Sequence, residues 1–129
     1  MIDQITVRLK PGQDLKQEIE DFVKQKDIKA GIIASIVGSL TRAVLRIADS
    51  MNVKQWESPF EIVSGTGTVS VNGCHIHISI ADQEGVVFGG HLKQGCVINT
   101  TVELVILLFQ DTEFKRLPDE TTGYNELVV

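Results

Sequence analysis

Between residues 2 and 10 apolar and polar positions alternate. Ile5, Val7 and Leu9 fall on one face, and Thr6, Arg8 and Lys10 on the other. A period of two predicts a half-buried strand. Pro11-Gly12 ends it with turn chemistry. The period then changes. Leu15, Ile19, Phe22 and Val23 recur at helical spacing, with Lys16, Glu18, Glu20 and Lys24 on the other side. Asp14 stands where an N-cap accepts a backbone N–H. One helix is predicted over 14–26.

The remainder reads as strands and turns. Residues 31–37 are apolar and β-branched, Gly38-Ser39 punctuates them, and a second strand follows over 40–49. Residues 52–59 read as a loop carrying Trp56, the only tryptophan. Residues 60–71 form a strand in which Gly65 and Gly67 mark a bulge or a close backbone approach. Asn72-Gly73 is a strong hairpin turn that leads into a strand over 74–81. A turn follows at 82–85, then Val86-Val87-Phe88 before Gly89-Gly90, and a long central strand over 97–109. Past Glu113 the composition turns polar, and the tail reads as irregular, packed in places by Tyr124 and Leu127. With no repeat, low-complexity tract or linker, residues 1–129 are read as one domain. One helix among many strands joined by tight turns predicts an α+β fold, a mainly antiparallel sheet with a helix packed on it.

A chain of 129 residues buries enough surface to fold without a disulfide or a structural metal. Twelve basic residues face seventeen acidic ones, for a net charge of −5. Nucleic-acid binding usually begins with a basic field, and the densest basic run is only Lys115-Arg116. Direct DNA binding by the isolated chain is therefore disfavoured, leaving Arg8, Arg42 and Arg46 as the residues that would have to gather on one face. Cys74 and Cys96 lie in apolar segments outside any C-x-x-C pair, which suits reduced thiols and a cytoplasmic location, with a disulfide between them left open. The first residues lack the pattern of a secretion signal, and the longest apolar run is too short to span a bilayer.

The chemistry concentrates in Cys74-His75-Ile76-His77-Ile78-Ser79-Ile80. On a strand His75, His77 and Ser79 share one face, and Cys74, Ile76, Ile78 and Ile80 share the core face. The two imidazoles are then roughly 6–7 Å apart along the backbone, close enough to reach one ion. His91, the last histidine, follows Gly89-Gly90 on a segment that returns beside them. Three neutral imidazoles suit zinc first, and nickel, copper or iron(II) less on availability, with one position open to water or a ligand. Ser79 is a candidate partner of the histidines. Glu103, a charge within an apolar segment, reads either as a fourth ligand or as the exposed face of a strand. Cys96 reads as core unless a histidine lies beside it. No phosphate-binding loop or dinucleotide fingerprint is present.

Several blocks recur together: Gly38-Ser39-Leu40 with Arg42 and Leu45-Arg46; residues 60–67; His75-Ile76-His77-Ile78-Ser79 with Ala81-Asp82, Gly85 and Gly89-Gly90-His91-Leu92; Gly95-Cys96 with Thr100-Thr101-Val102-Glu103; and Thr122-Gly123-Tyr124 with Glu126-Leu127. In order and spacing they resemble the stand-alone prokaryotic members of the PPC family, the domain shared by plants and prokaryotes. The resemblance implies a mainly antiparallel sheet with a packed helix, a homotrimer, and a metal carried by His75, His77 and His91. Plant members pair the domain with AT-hooks in nuclear DNA-binding proteins and generally lack these histidines. No Arg-Gly-Arg-Pro occurs here, so the plant role does not transfer with the fold. Two readings follow: a metal-binding protein, zinc first, extending to a hydrolase or lyase of unnamed substrate; or an oligomerising, regulatory partner-binding module, with the 97–109 segment at a subunit interface.

Overall fold

The computed structural model describes residues 2–49 and 51–128. Strand β1 spans Ile2–Leu9, helix α1 Leu15–Gln25, β2 Gly31–Arg46 and β3 Val53–Val69. Strands β4 (His75–Ala81), β5 (Val87–Leu92), β6 (Val97–Phe109), β7 (Lys115–Pro118) and β8 (Asn125–Val128) follow. Six strands form one sheet in the order β1-β6-β2-β3-β4-β5, and β5 returns to pair with the end of β2. Every pairing in it is antiparallel, so β2, β3, β4 and β5 close into a ring. The α+β expectation holds.

The helix forms where its period places it. Asp14 caps it, with Oδ1 accepting from the Gln17 N–H at 3.0 Å, and Leu15, Ile19 and Val23 are buried. The other carboxylate oxygen of Asp14 accepts from the Gly95 N–H at 2.7 Å, tying the helix start to the turn before β6. Alternation does the same work in the strands. Ile76, Ile78 and Ile80 of β4 are buried and meet Leu40, Leu45, Leu92 and Leu104 in one apolar core.

Three local expectations are corrected. Gly38-Ser39 is no break, because β2 runs straight through it. A side chain at Gly38 would strike the Thr101 carbonyl, so the glycine is there for close approach of β6, and Ser39 bonds Thr100 at 2.8 Å between hydroxyls. Register shifts along β2 near these residues let one long strand bend around the core. Residues 53–59 are not a loop but the first half of β3. Trp56 is held there by aromatic packing, its ring 4.8 Å from Phe88, which in turn lies 5.6 Å from Phe60. The C-terminal tail is a hairpin of β7 and β8 rather than irregular chain. Arg116 fastens it, donating to Thr68 Oγ1 of β3 at 2.9 Å.

Both cysteines are free. Cys96 is core: its sulfur takes the Val44 N–H at 3.2 Å and faces the Val44 carbonyl at 3.4 Å, and burial pushes its thiol up to about 11. Among the described residues no helix is long and apolar enough to cross a membrane.

Candidate metal centre

The site is built by strand register. His77 of β4 lies directly opposite His91 of β5, and His91 lies opposite Arg46 at the end of β2. His75, two residues from His77, shares its face. The β3 partners of the two β4 histidines are Thr66 and Thr68. Glycine makes the crossing possible. A side chain at Gly89 would strike the Ile78 carbonyl, and a Cβ at Gly90 would lie 2.6 Å from the Arg46 carbonyl oxygen. The pair serves close approach; neither glycine takes the positive φ of Gly85 in the preceding turn.

The three imidazoles therefore converge. Ring centroids are 4.8 Å apart for His75 and His77, 4.9 Å for His75 and His91, and 5.4 Å for His77 and His91. The Nε2 atoms of His75 and His77 are 3.1 Å apart, and one candidate ligand atom from each histidine falls within 4.8 Å of the others. Nitrogens bound at ~2.0–2.1 Å around a tetrahedral ion sit about 3.3 Å from one another. His75 and His77 already have that spacing, and closing the set takes a turn of about 1.5 Å at the third ring. The donor set fits a divalent transition ion.

At His75 and His91 the surroundings favour the neutral ring, the form that ligates. Burial, then the charge of Arg46 and the other two histidines, pushes His91 down to about 4. Burial also lowers His75, followed by the charge on His77. Arg46 Nη2 lies 3.3 Å from His91 Nδ1, and its guanidinium carbon is 5.2 Å from the centre of the Tyr124 ring. A cleft of about 480 Å³ opens beside the triad, lined by Arg46, Asp49, Met51, His77, His91 and Tyr124 among others.

Glu103 does not join the site. It is exposed on β6, facing Arg8 on β1 in register, and the ligand cluster holds no carboxylate. Ser79 stands opposite Gly89, two residues nearer the hairpin turn than the His77–His91 pair, while Arg46 is the polar neighbour that bonds His91. Sequence reasoning grouped Arg46 with Arg8 and Arg42 as a basic face. In the folded chain Arg42 bonds Glu57 at 2.6 Å, and Arg46 belongs to the histidines. The available signal was the Leu45-Arg46 block at the end of a strand, whose pairing with β5 only the fold reveals.

The pattern of the Plants and Prokaryotes Conserved (PCC) domain matches residues 2–110. The chain belongs to this family. A solved structure of a hypothetical protein from Salmonella is 37% identical with a TM-score of 0.95, covering 99% of this chain and 93% of that one. The metal-containing protein of Archaeoglobus fulgidus is 31% identical with a TM-score of 0.86, covering 98% and 94%. Among curated proteins, the bifunctional protein GlmU of Synechococcus sp. (strain JA-3-3Ab) is 45% identical over 121 residues, which is 94% of this chain. The chain spans about one fifth of the length of that relative.

Proposed function

We propose that this PCC domain is a metal-binding protein in which His75, His77 and His91 hold a divalent transition ion, zinc first. One observation carries the reading: a potential ligand nitrogen from each of three strand-borne imidazoles lies within 4.8 Å of the other two. The family relative from Archaeoglobus fulgidus, named as a metal-containing protein, supports it. All-nitrogen donor sets favour zinc, nickel, copper or iron(II) over magnesium or calcium. Such an ion, when bound to three imidazoles, offers a Lewis-acid position for water or a ligand. The chain's own part is to present neutral rings and wall the position with the cleft. Elemental analysis of protein purified with zinc added tests this: near one ion per chain is expected, and near zero, or unchanged content in the triple His→Ala variant, ends the reading.

A second reading, an oligomerising partner-binding module assembled as a homotrimer, draws on exposed apolar side chains. Val37 and Val63 flank the paired residues Gly38 and Ile62 on neighbouring strands and are 54% and 52% exposed. Light scattering decides it, a monomer at micromolar concentration being the adverse result. Direct DNA association finds no support in a charge of −5 or in the engagement of Arg42 and Arg46 by Glu57 and His91.

A further inference from the structure

The ligand triad brings no negative charge to its ion. Three neutral imidazoles leave a divalent cation with its full charge, and the Arg46 guanidinium stands 3.3 Å from one of those imidazoles. Lys93 adds a further positive charge to the surroundings of His91. Arg116 adds another beside His75, and the acids on this group are Asp49, on the wall of the cleft, and Glu126, whose charge reaches His75; two carboxylates do not balance two arginines, a lysine and a divalent ion. Like charges gathered in a partly enclosed site call for an anion.

Hydrogen bonding points the same way. A neutral imidazole has one lone pair in the ring plane, and His91 presents Nδ1 to Arg46 Nη2. If an ion takes Nδ1, the lone pair is used. If it takes Nε2, the proton moves to Nδ1, which then faces the guanidinium donor to donor. In both cases Arg46 loses its acceptor on His91 when the triad is loaded. The Tyr124 ring, 5.2 Å from the guanidinium carbon, holds the plane of the fork in the cleft.

We propose that the cleft beside the triad binds a small organic acid, its carboxylate taken by Arg46 and facing the ion held by His75, His77 and His91. This inference rests on the metal reading above. A planar guanidinium matches a carboxylate in two parallel hydrogen bonds. The cleft volume of about 480 Å³ is within the range of small-molecule sites. Asp49 on the same wall repels a multiply charged phosphate more than it repels a monocarboxylate.

Cobalt(II)-loaded protein provides the test, since its visible bands report both loading and a new ligand at the ion. Cobalt content is measured first, then acetate and inorganic phosphate are titrated separately into the wild type, Arg46→Met and Arg46→Lys. The expected result is full cobalt loading in all three, with acetate at least ~10-fold weaker in Arg46→Met than in the wild type. Arg46→Lys, which keeps the charge without the fork, falls between them, and it carries the comparison if Arg46→Met does not fold. Equal acetate affinity in wild type and variants overturns the proposal with the metal reading intact, as does tighter binding of phosphate than of acetate. Failure of the wild type to load cobalt overturns both.

Discussion

Gly90 passes the backbone of Arg46 so closely that a Cβ at position 90 would lie 2.6 Å from the Arg46 carbonyl oxygen and 3.2 Å from Leu45 Cβ. The contact is between backbones, so it has no flexible side chain to yield. Gly90→Ala is expected to cost about 1–3 kcal/mol, the usual penalty of overpacking. Because His91 is the next residue, metal affinity falls as well. Urea denaturation and chelator competition measure the two effects, and a variant unchanged in both contradicts the close approach.

Removing a ligand should hurt metal binding far more than removing a neighbour. Loss of an outer partner of a ligand typically costs 10–100-fold in affinity. His77→Ala, His75→Ala and His91→Ala are each expected to exceed about 100-fold in zinc competition assays. Ser79→Ala and Glu103→Gln, which alter residues outside the cluster, are expected to leave zinc affinity within about threefold of the wild type.

The metal-free protein should weaken in acid. His91 is held down at about 4 in the folded state, while the unfolded chain takes up the proton at an ordinary histidine value near 6.5. Between those values the unfolded state binds more protons, so stability is intact above pH 6.5, falls as pH drops toward 4, and levels off below it for this group. The lowered His75 adds in the same direction. Denaturant midpoints between pH 7.5 and 4 check this, and His91→Asn should flatten the slope. A midpoint that rises on acidification is the contrary result.

Asp14 joins two elements by one carboxylate, accepting from the Gln17 N–H at 3.0 Å and from the Gly95 N–H at 2.7 Å. Loss of a cap alone costs about 1 kcal/mol, and the stranded Gly95 donor adds to it. Asp14→Ala should therefore destabilise by about 2 kcal/mol. Asp14→Asn, which retains one acceptor oxygen, should recover roughly half. Urea denaturation of both variants measures it.

Much of this was legible from residue order, for reasons that differ by segment. The helix and β4 carry strong periods, and alternation alone placed His75 with His77 and set the three isoleucines opposite them. The closing of the sheet was not legible. Nothing local announces that Leu45 and Arg46 pair with Leu92 and His91, so Arg46 was grouped by charge instead of by register. Glycine was ambiguous for a related reason. At Gly38 it permits another strand to pass, yet in sequence it looks like an end. Trp56 lies among polar residues that read as loop, and its strand is stabilised by Phe88 from β5, a contact without a sequence signature.

The hairpin that supplies all three histidines spans seventeen residues, whereas Arg46 reaches His91 across a separation of 45. In chain-entropy terms these are different events. Bringing Arg46 to the site closes a loop roughly three times longer than the one joining His77 to His91, an added cost of about 1 kcal/mol. The ligand set is thus a short-range structure, available as soon as the β4–β5 turn forms, and the arginine is a late arrival that depends on the whole ring. On the metal reading proposed above, the imidazoles gather their ion before the sheet closes over them, and the guanidinium proposed to take an anion is added afterwards.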